Sequence, residues 1–149
     1  MTRHEALIPL AHDHHHFLAH ANRMQEAATQ DAAARRLAAD DYVSFYLGKG
    51  LRNMREEHEL FFPAAFFAGD QARALVLRGV AGHLEMCHQT HRLQEELSGG
   101  EIAPKSLEQL ADILKEHVRF EESELFTVIQ NSVPEDELRR LGQAFRRDI

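Results

Sequence analysis

The stretch His117–Phe126, HVRFEESELF, decides how this chain is read. Wound as an α-helix at about 100° per residue, it places Leu110, Ile113, Leu114, Phe120, Glu121, Glu124 and Val128 within about 60° of His117. His117 and Glu121 therefore project together, from an otherwise apolar stripe, into the protein. Moving an ionised carboxylate out of water is costly even after relaxation, so an inward Glu121 requires Arg, His or a metal ion beside it. Side chains at i and i+4 stand about 5 to 6 Å apart at Cβ, close enough to share one ion or a close pair. A Glu and a His bonded only to each other on a half-buried face would satisfy the same stretch.

The other helices bear on that choice. In the first, Leu7, Leu10, His14, Phe17, Leu18 and Ala21 share a face centred on His14, the inward member of the His12–His16 run HDHHH. His15 and His16 point to the flank or to solvent. In a later helix, Ala72, Val76, Val80, His83, Cys87 and Thr90 form the apolar stripe, with His83 at its centre and His88 and His91 on its flank. The segment REEHELFFP resembles the HVRFEESELF texture in two competing registers. Glu56 would share its face with Lys49 and Arg52, whereas Glu57 shares one with Tyr46, Asn53, Leu60, Phe61 and Ala64. The less charged face belongs inside, which selects Glu57. A twofold pattern results: His14 then Glu57, followed by His83 then His117 and Glu121. Three neutral imidazoles with two carboxylates suit iron or manganese, and zinc as well.

Composition narrows the setting. The 149 residues have the length of one domain, spanning 1–149 with its core at about 9–147. A net charge of -7 argues against nucleic acid or an anionic membrane as the principal partner. Apolar runs of membrane-spanning length and a secretory signal pattern are both missing, and the single cysteine, Cys87, fits a reducing compartment, so the expected location is cytoplasmic. Eleven histidines are the compositional outlier.

Sparse β-branched residues beside abundant Ala, Leu, Glu and Arg predict an all-helical protein. Helices are expected from near Pro9 to Ala28, from Asp31 to Phe67 with a weak point at Gly48 and Gly50 and a bend at Pro63, and from Asp70 to Leu97. A fourth, capped by Ser106 with Gln109, runs to Asn131, and a short fifth opens at Ser132-x-x-Glu135 and ends near Arg147. The first eight residues form an arm before Pro9. Four long helices with short links predict an all-α, antiparallel up-down four-helix bundle with a short additional C-terminal helix.

Taken in order, LAHDHHHFL, NMREEHELFFP, the isolated His83 and HVRFEESELF resemble the bacterial hemerythrin-like, or His-His-Glu cation-binding, domain over about residues 9 to 145. The resemblance implies an up-down four-helix bundle holding non-haem iron, two ions, with His14, Glu57, His83, His117 and Glu121 as ligands and the glutamates as bridges. Two departures stand out. Asn53 takes the place of a second-helix histidine, and Cys87 that of a second histidine four residues after His83. Glu56, His58, Tyr46 or water are the reserves for completing such a centre, and Asp13, Glu124 and Tyr46 the candidates for orienting its imidazoles.

A centre of this kind is expected to bind or sense dioxygen, nitric oxide or peroxide, with a small diatomic gas or peroxide as its partner. Assembly as a homodimer stays open. An enzyme that consumes peroxide or repairs iron–sulfur centres is the alternative from the catalytic class. A metal-free helical interaction module, with Asn53 and Cys87 as signs of decay, is the alternative from the structural class.

Overall fold

Prolines and glycines set where the helices of this chain begin and end. The computed structural model describes residues 2–145, and every regular element among them is helical, with no strand. Pro9 lies in the first turn of α1 (Ile8–Ala27), where its missing N–H has no helical partner to lose. Rod α2 occupies 32–66, opened by Asp31, whose carboxylate accepts from the Ala34 amide at 2.9 Å. The longest helix, α3 (Asp70–Gly99), is bracketed by Gly69 and Gly100 at φ of 138° and 119°, conformations that glycine adopts at little steric cost. Rod α4 occupies 104–132 and α5 spans Glu135–Ala144. Among the described residues, no helix is long and apolar enough to cross a membrane.

Two rods change their winding. In α2 the regular helix widens into π turns at Tyr46–Gly50 and Glu57–Phe61, and in α4 at Glu121–Leu125. Gly48 and Gly50 thus sit within a wide turn rather than a break. Pro63 comes just after the second π turn, whose looser ladder accommodates a residue with no N–H. Each π turn inserts one residue and rotates the chain beyond it. This overturns the expected inward placement of Glu124, which pairs with Arg78 at 3.3 Å; Leu125, Phe126 and Ile129 are buried, and Val128 is half-buried against the same cluster.

Other local expectations shift for similarly local reasons. Ser106 does not cap α4, because Pro104 opens the helix two residues earlier with Ala103 at the cap. Ser132 closes α4, and Pro134 rather than a serine hydroxyl stands before α5. The expected end of α5 near Arg147 lies outside the described residues. Within the arm, His4 Nδ1 accepts from the Ala6 amide at 3.1 Å and caps a short 3-10 turn, Glu5–Leu7.

Helices α1 and α4 pack together, as do α3 and α4, α1 and α2, and α2 and α3. Their interior divides into two apolar clusters. One holds Phe17, Met24, Tyr42, Met86, Leu93 and Leu114; the other holds Leu10, Phe61, Phe62, Val76, Phe126 and Ile129. Along each long helix a polar residue marks the boundary between them: His14 after Leu10 and before Phe17, Glu57 between Met54 and Phe61, His83 between Val76 and Met86, and His117 and Glu121 between Leu114 and Leu125.

Within the first cluster, the fully buried Tyr42 hydroxyl meets Thr90 Oγ1 at 2.8 Å. Thr90→Val keeps the shape but strands the tyrosine hydroxyl, so chemical denaturation is expected to register a loss of about 1 to 3 kcal/mol.

Candidate metal centre

The layer between the two apolar clusters is built from four rods. Asp13, His14, Asn53, Glu57, His83, His117 and Glu121 are all buried, and both glutamates are at most 1% exposed. The structure brings together all five of the side chains that the sequence singles out. His117 Nε2 lies 2.5 Å from Glu121 Oε1, and His14 Nε2 lies 3.5 Å from the same oxygen. His83 Nε2 stands 3.9 Å from Glu57 Oε1 and 4.0 Å from Glu121 Oε1. The tightest set is His83, His117 and Glu121, with one donor atom from each lying within 4.8 Å of the others, a spacing that can hold a metal ion.

The donor atoms at this focus have only one another to meet. His14 Nε2, His83 Nε2, His117 Nε2, Glu121 Oε2 and both carboxylate oxygens of Glu57 are buried with no hydrogen-bond partner outside the cluster. Native interiors leave only a few such atoms unsatisfied per hundred residues, and here six gather in one layer. Nitrogen and oxygen donors of this kind match borderline and hard transition ions, so the residues present fit a bound cation.

Electrostatics within the layer are correspondingly strained. Burial, followed by the charge of Glu121, pushes the Glu57 carboxyl well above the usual carboxylate range. Burial would raise Glu121 as well, but the imidazoles of His117 and His14 outweigh it and hold Glu121 well below that range. Burial also depresses His14, yet its bonds to Glu121 and Glu122 prevail and raise it to about 9. His83 has no such rescue: burial brings it down to about 3, and the neighbouring His117, His58 and His14 add to the effect against the opposing pull of Glu121. A divalent cation would relieve both the carboxylate repulsion and the conflict among the imidazoles.

The outer nitrogens of two imidazoles are held by residues other than those expected. His14 Nδ1 donates to Glu122 Oε1 at 2.7 Å, and His83 Nδ1 and His58 Nε2 share a hydrogen bond of 2.7 Å. His58 therefore faces the outer edge of His83 rather than the centre. Asp13 instead accepts from Asn53 Nδ2 at 3.0 Å, Tyr46 donates to Cys87 Sγ at 2.9 Å, and Glu56 lies 3.5 Å from Arg52 Nε. Phe126 stacks on His14 with rings 5.5 Å apart, and Phe62 on His83 at 5.7 Å. Glu122 is not legible as a partner from the sequence because it lies about 100° around the helix from Glu121; its one signal is adjacency to that residue. The exposed positions of His15, His16, His88 and His91 agree with their assignment to flank and solvent.

These features define a helical protein with a candidate cation site in its interior. The hemerythrin HHE cation-binding domain matches residues 9–129, and the chain belongs to that family. No curated protein and no solved structure gives a match.

Gly82 shapes the site by having no side chain. A Cβ there would lie 2.6 Å from His117 Nδ1, and the buried His117 ring would have to give way. Gly82→Ala is expected to destabilise the metal-free protein by about 1 to 3 kcal/mol in denaturant titration, the range of overpacked cores. Gly48→Ala, where the added carbon meets nothing within 4 Å, is the control.

Proposed function

We propose that this protein is a hemerythrin-like non-haem iron protein that binds or senses dioxygen, nitric oxide or peroxide. In this reading α1 to α4 are an antiparallel up-down four-helix bundle and α5 is the short additional helix. One observation carries the proposal: six buried nitrogen and oxygen atoms, from five side chains on four helices, face one another with no hydrogen-bond partner outside the cluster. His14, Glu57, His83, His117 and Glu121 would hold two metal ions, with Glu57 and Glu121 as the bridging carboxylates. Iron is the family's typical metal; manganese and zinc suit the same donors. When bound, ferrous iron supplies open coordination positions and one-electron chemistry to a small ligand.

The chain's own contribution is orientation and exclusion of water. With the Nε2 proton of His14 displaced by a cation, the Nδ1–H bond to Glu122 would keep that nitrogen's lone pair facing the centre, and the bond between His83 and His58 would do the same for His83 when His83 is the donor. Phe62 and Phe126 fix the planes of these rings, and the apolar clusters above and below keep bulk water away. The two halves are unequal. His83, His117 and Glu121 form the compact half, while on the other side Asn53 is turned toward Asp13, and Arg52 contributes a cation beside Glu56. The compact half would hold a cation more tightly than the half with His14 and Glu57.

Elemental analysis and spectroscopy of protein made in iron-rich medium test this reading. Bound iron is expected, with absorption that changes on adding nitric oxide or dioxygen. Iron at a hundred times its Kd should raise stability by about 2.7 kcal/mol. Protein that stays free of transition metal after anaerobic preparation, with a Tm indifferent to added iron, would overturn the proposal and favour an interaction module. His117→Ala should lose most of the metal and His88→Ala almost none; equal losses would contradict the assigned ligands. Asn53→His should move iron content from nearer one toward about two per chain, since imidazole is a far better iron ligand than an amide.

A further inference from the structure

The HDHHH run is only partly used by the buried centre. His14 turns inward, but His12, His15 and His16 are exposed on α1. The ring of His12 lies 5.6 Å from that of His15 and 6.5 Å from that of His16, centre to centre. As placed, the three imidazoles do not converge on one point; rotation of these exposed side chains would bring His12 and His16, one helical turn apart, onto one ion at about 2.1 Å per nitrogen. The i, i+3 and i+4 spacing puts all three on one side of the helix.

This cluster borders a surface cleft that ends against the outer side of the centre. A cleft of about 420 Å³ is lined by His12 and His15 together with His14 and Glu122. Its far wall is thus the same His14–Glu122 pair whose inner nitrogen, His14 Nε2, faces the centre. Arg3 also borders the cleft, but its guanidinium is engaged by the Glu122 carbonyl at 2.5 Å and by Gln130 at 3.3 Å. Clefts also reach the centre at His117 and at His58 and His83. Arg78 borders the first, Arg52 and Arg55 the second, and neither has a set of exposed imidazoles at its mouth.

We propose that His12, His15 and His16 form a surface capture site for a divalent transition-metal ion, which then passes through the adjoining cleft, by His14 and Glu122, to the buried centre. Capture stands on the surface geometry alone; delivery rests on the metal-centre reading above. The cation is exchanged between imidazole sets without change of oxidation state. The net charge of -7 favours its approach at long range.

Two measurements on the full-length chain separate the parts. In the first, zinc is titrated calorimetrically into protein whose buried centre is already filled. One further ion with micromolar affinity is expected, and its loss in the His12→Gln/His16→Gln variant. No additional binding in the wild type overturns capture. In the second, metal-free protein is mixed with a limiting amount of zinc and filling of the buried centre is followed by the rise in Tm with time. His12→Gln/His15→Gln should slow filling about tenfold while leaving final metal content and final Tm unchanged. An unchanged rate overturns delivery. So does an equal slowing in Glu85→Gln/Asp112→Asn, which would trace the effect to surface charge at the His117 cleft. A chain that never takes metal inside, yet still binds the surface ion, refutes the buried centre and leaves capture intact.

Discussion

Two carboxylates, Glu57 and Glu121, are enclosed where water cannot reach them, and this constraint shapes the organisation of the whole protein. Each is nearly fully buried; three imidazoles, rather than arginine or lysine, are the cationic groups beside them, and Asp13 and Glu56 add negative charge near Glu57. Buried charge without a strong partner is among the largest penalties a fold can carry. The apolar clusters on either side supply the stability that tolerates it, and membership of a cation-binding family supplies the reason for it.

The backbone adapts to the same demand. Glu57 and Glu121 each begin a π turn, and this local widening lets one helix keep two side-chain sets in use. Before the turn, the helix presents its polar residue to the interior layer. After it, the added residue brings Leu125, Phe126 and Ile129 inward in place of Glu124. Wide turns of this type concentrate at functional sites because they forfeit regular hydrogen bonding and persist only where the surroundings compensate. Their appearance at equivalent points in α2 and α4 gives the twofold sequence pattern a structural counterpart.

Side chains beyond the centre divide into those that aim it and those that terminate it. Glu122 and His58 hold the outer nitrogens of His14 and His83, and Gly82 leaves the space His117 fills. Asp13, Asn53, Arg52 and Glu56 form a separate polar group held by hydrogen bonding and ion pairing. Cys87 is likewise occupied with Tyr46. Asn53 and Cys87, where the sequence resemblance leads one to expect histidine, are thus each held in a local polar contact.

The helical class, the approximate extent of each rod and the inward residue of each were determined by the sequence itself, because a period of 3.6 residues sorts apolar from polar positions wherever the winding is regular. It also favoured Glu57 over Glu56 as the inward carboxylate, since Arg52 stands one turn before Glu56; the structure buries both and pairs Glu56 with Arg52. Only the tertiary structure decided which residues face inward beyond the π turns, where one extra residue breaks the periodicity on which such sorting depends. It alone identified Glu122, His58 and Gly82 as the neighbours of the imidazoles, because those contacts join helices far apart in the chain and no local pattern encodes them.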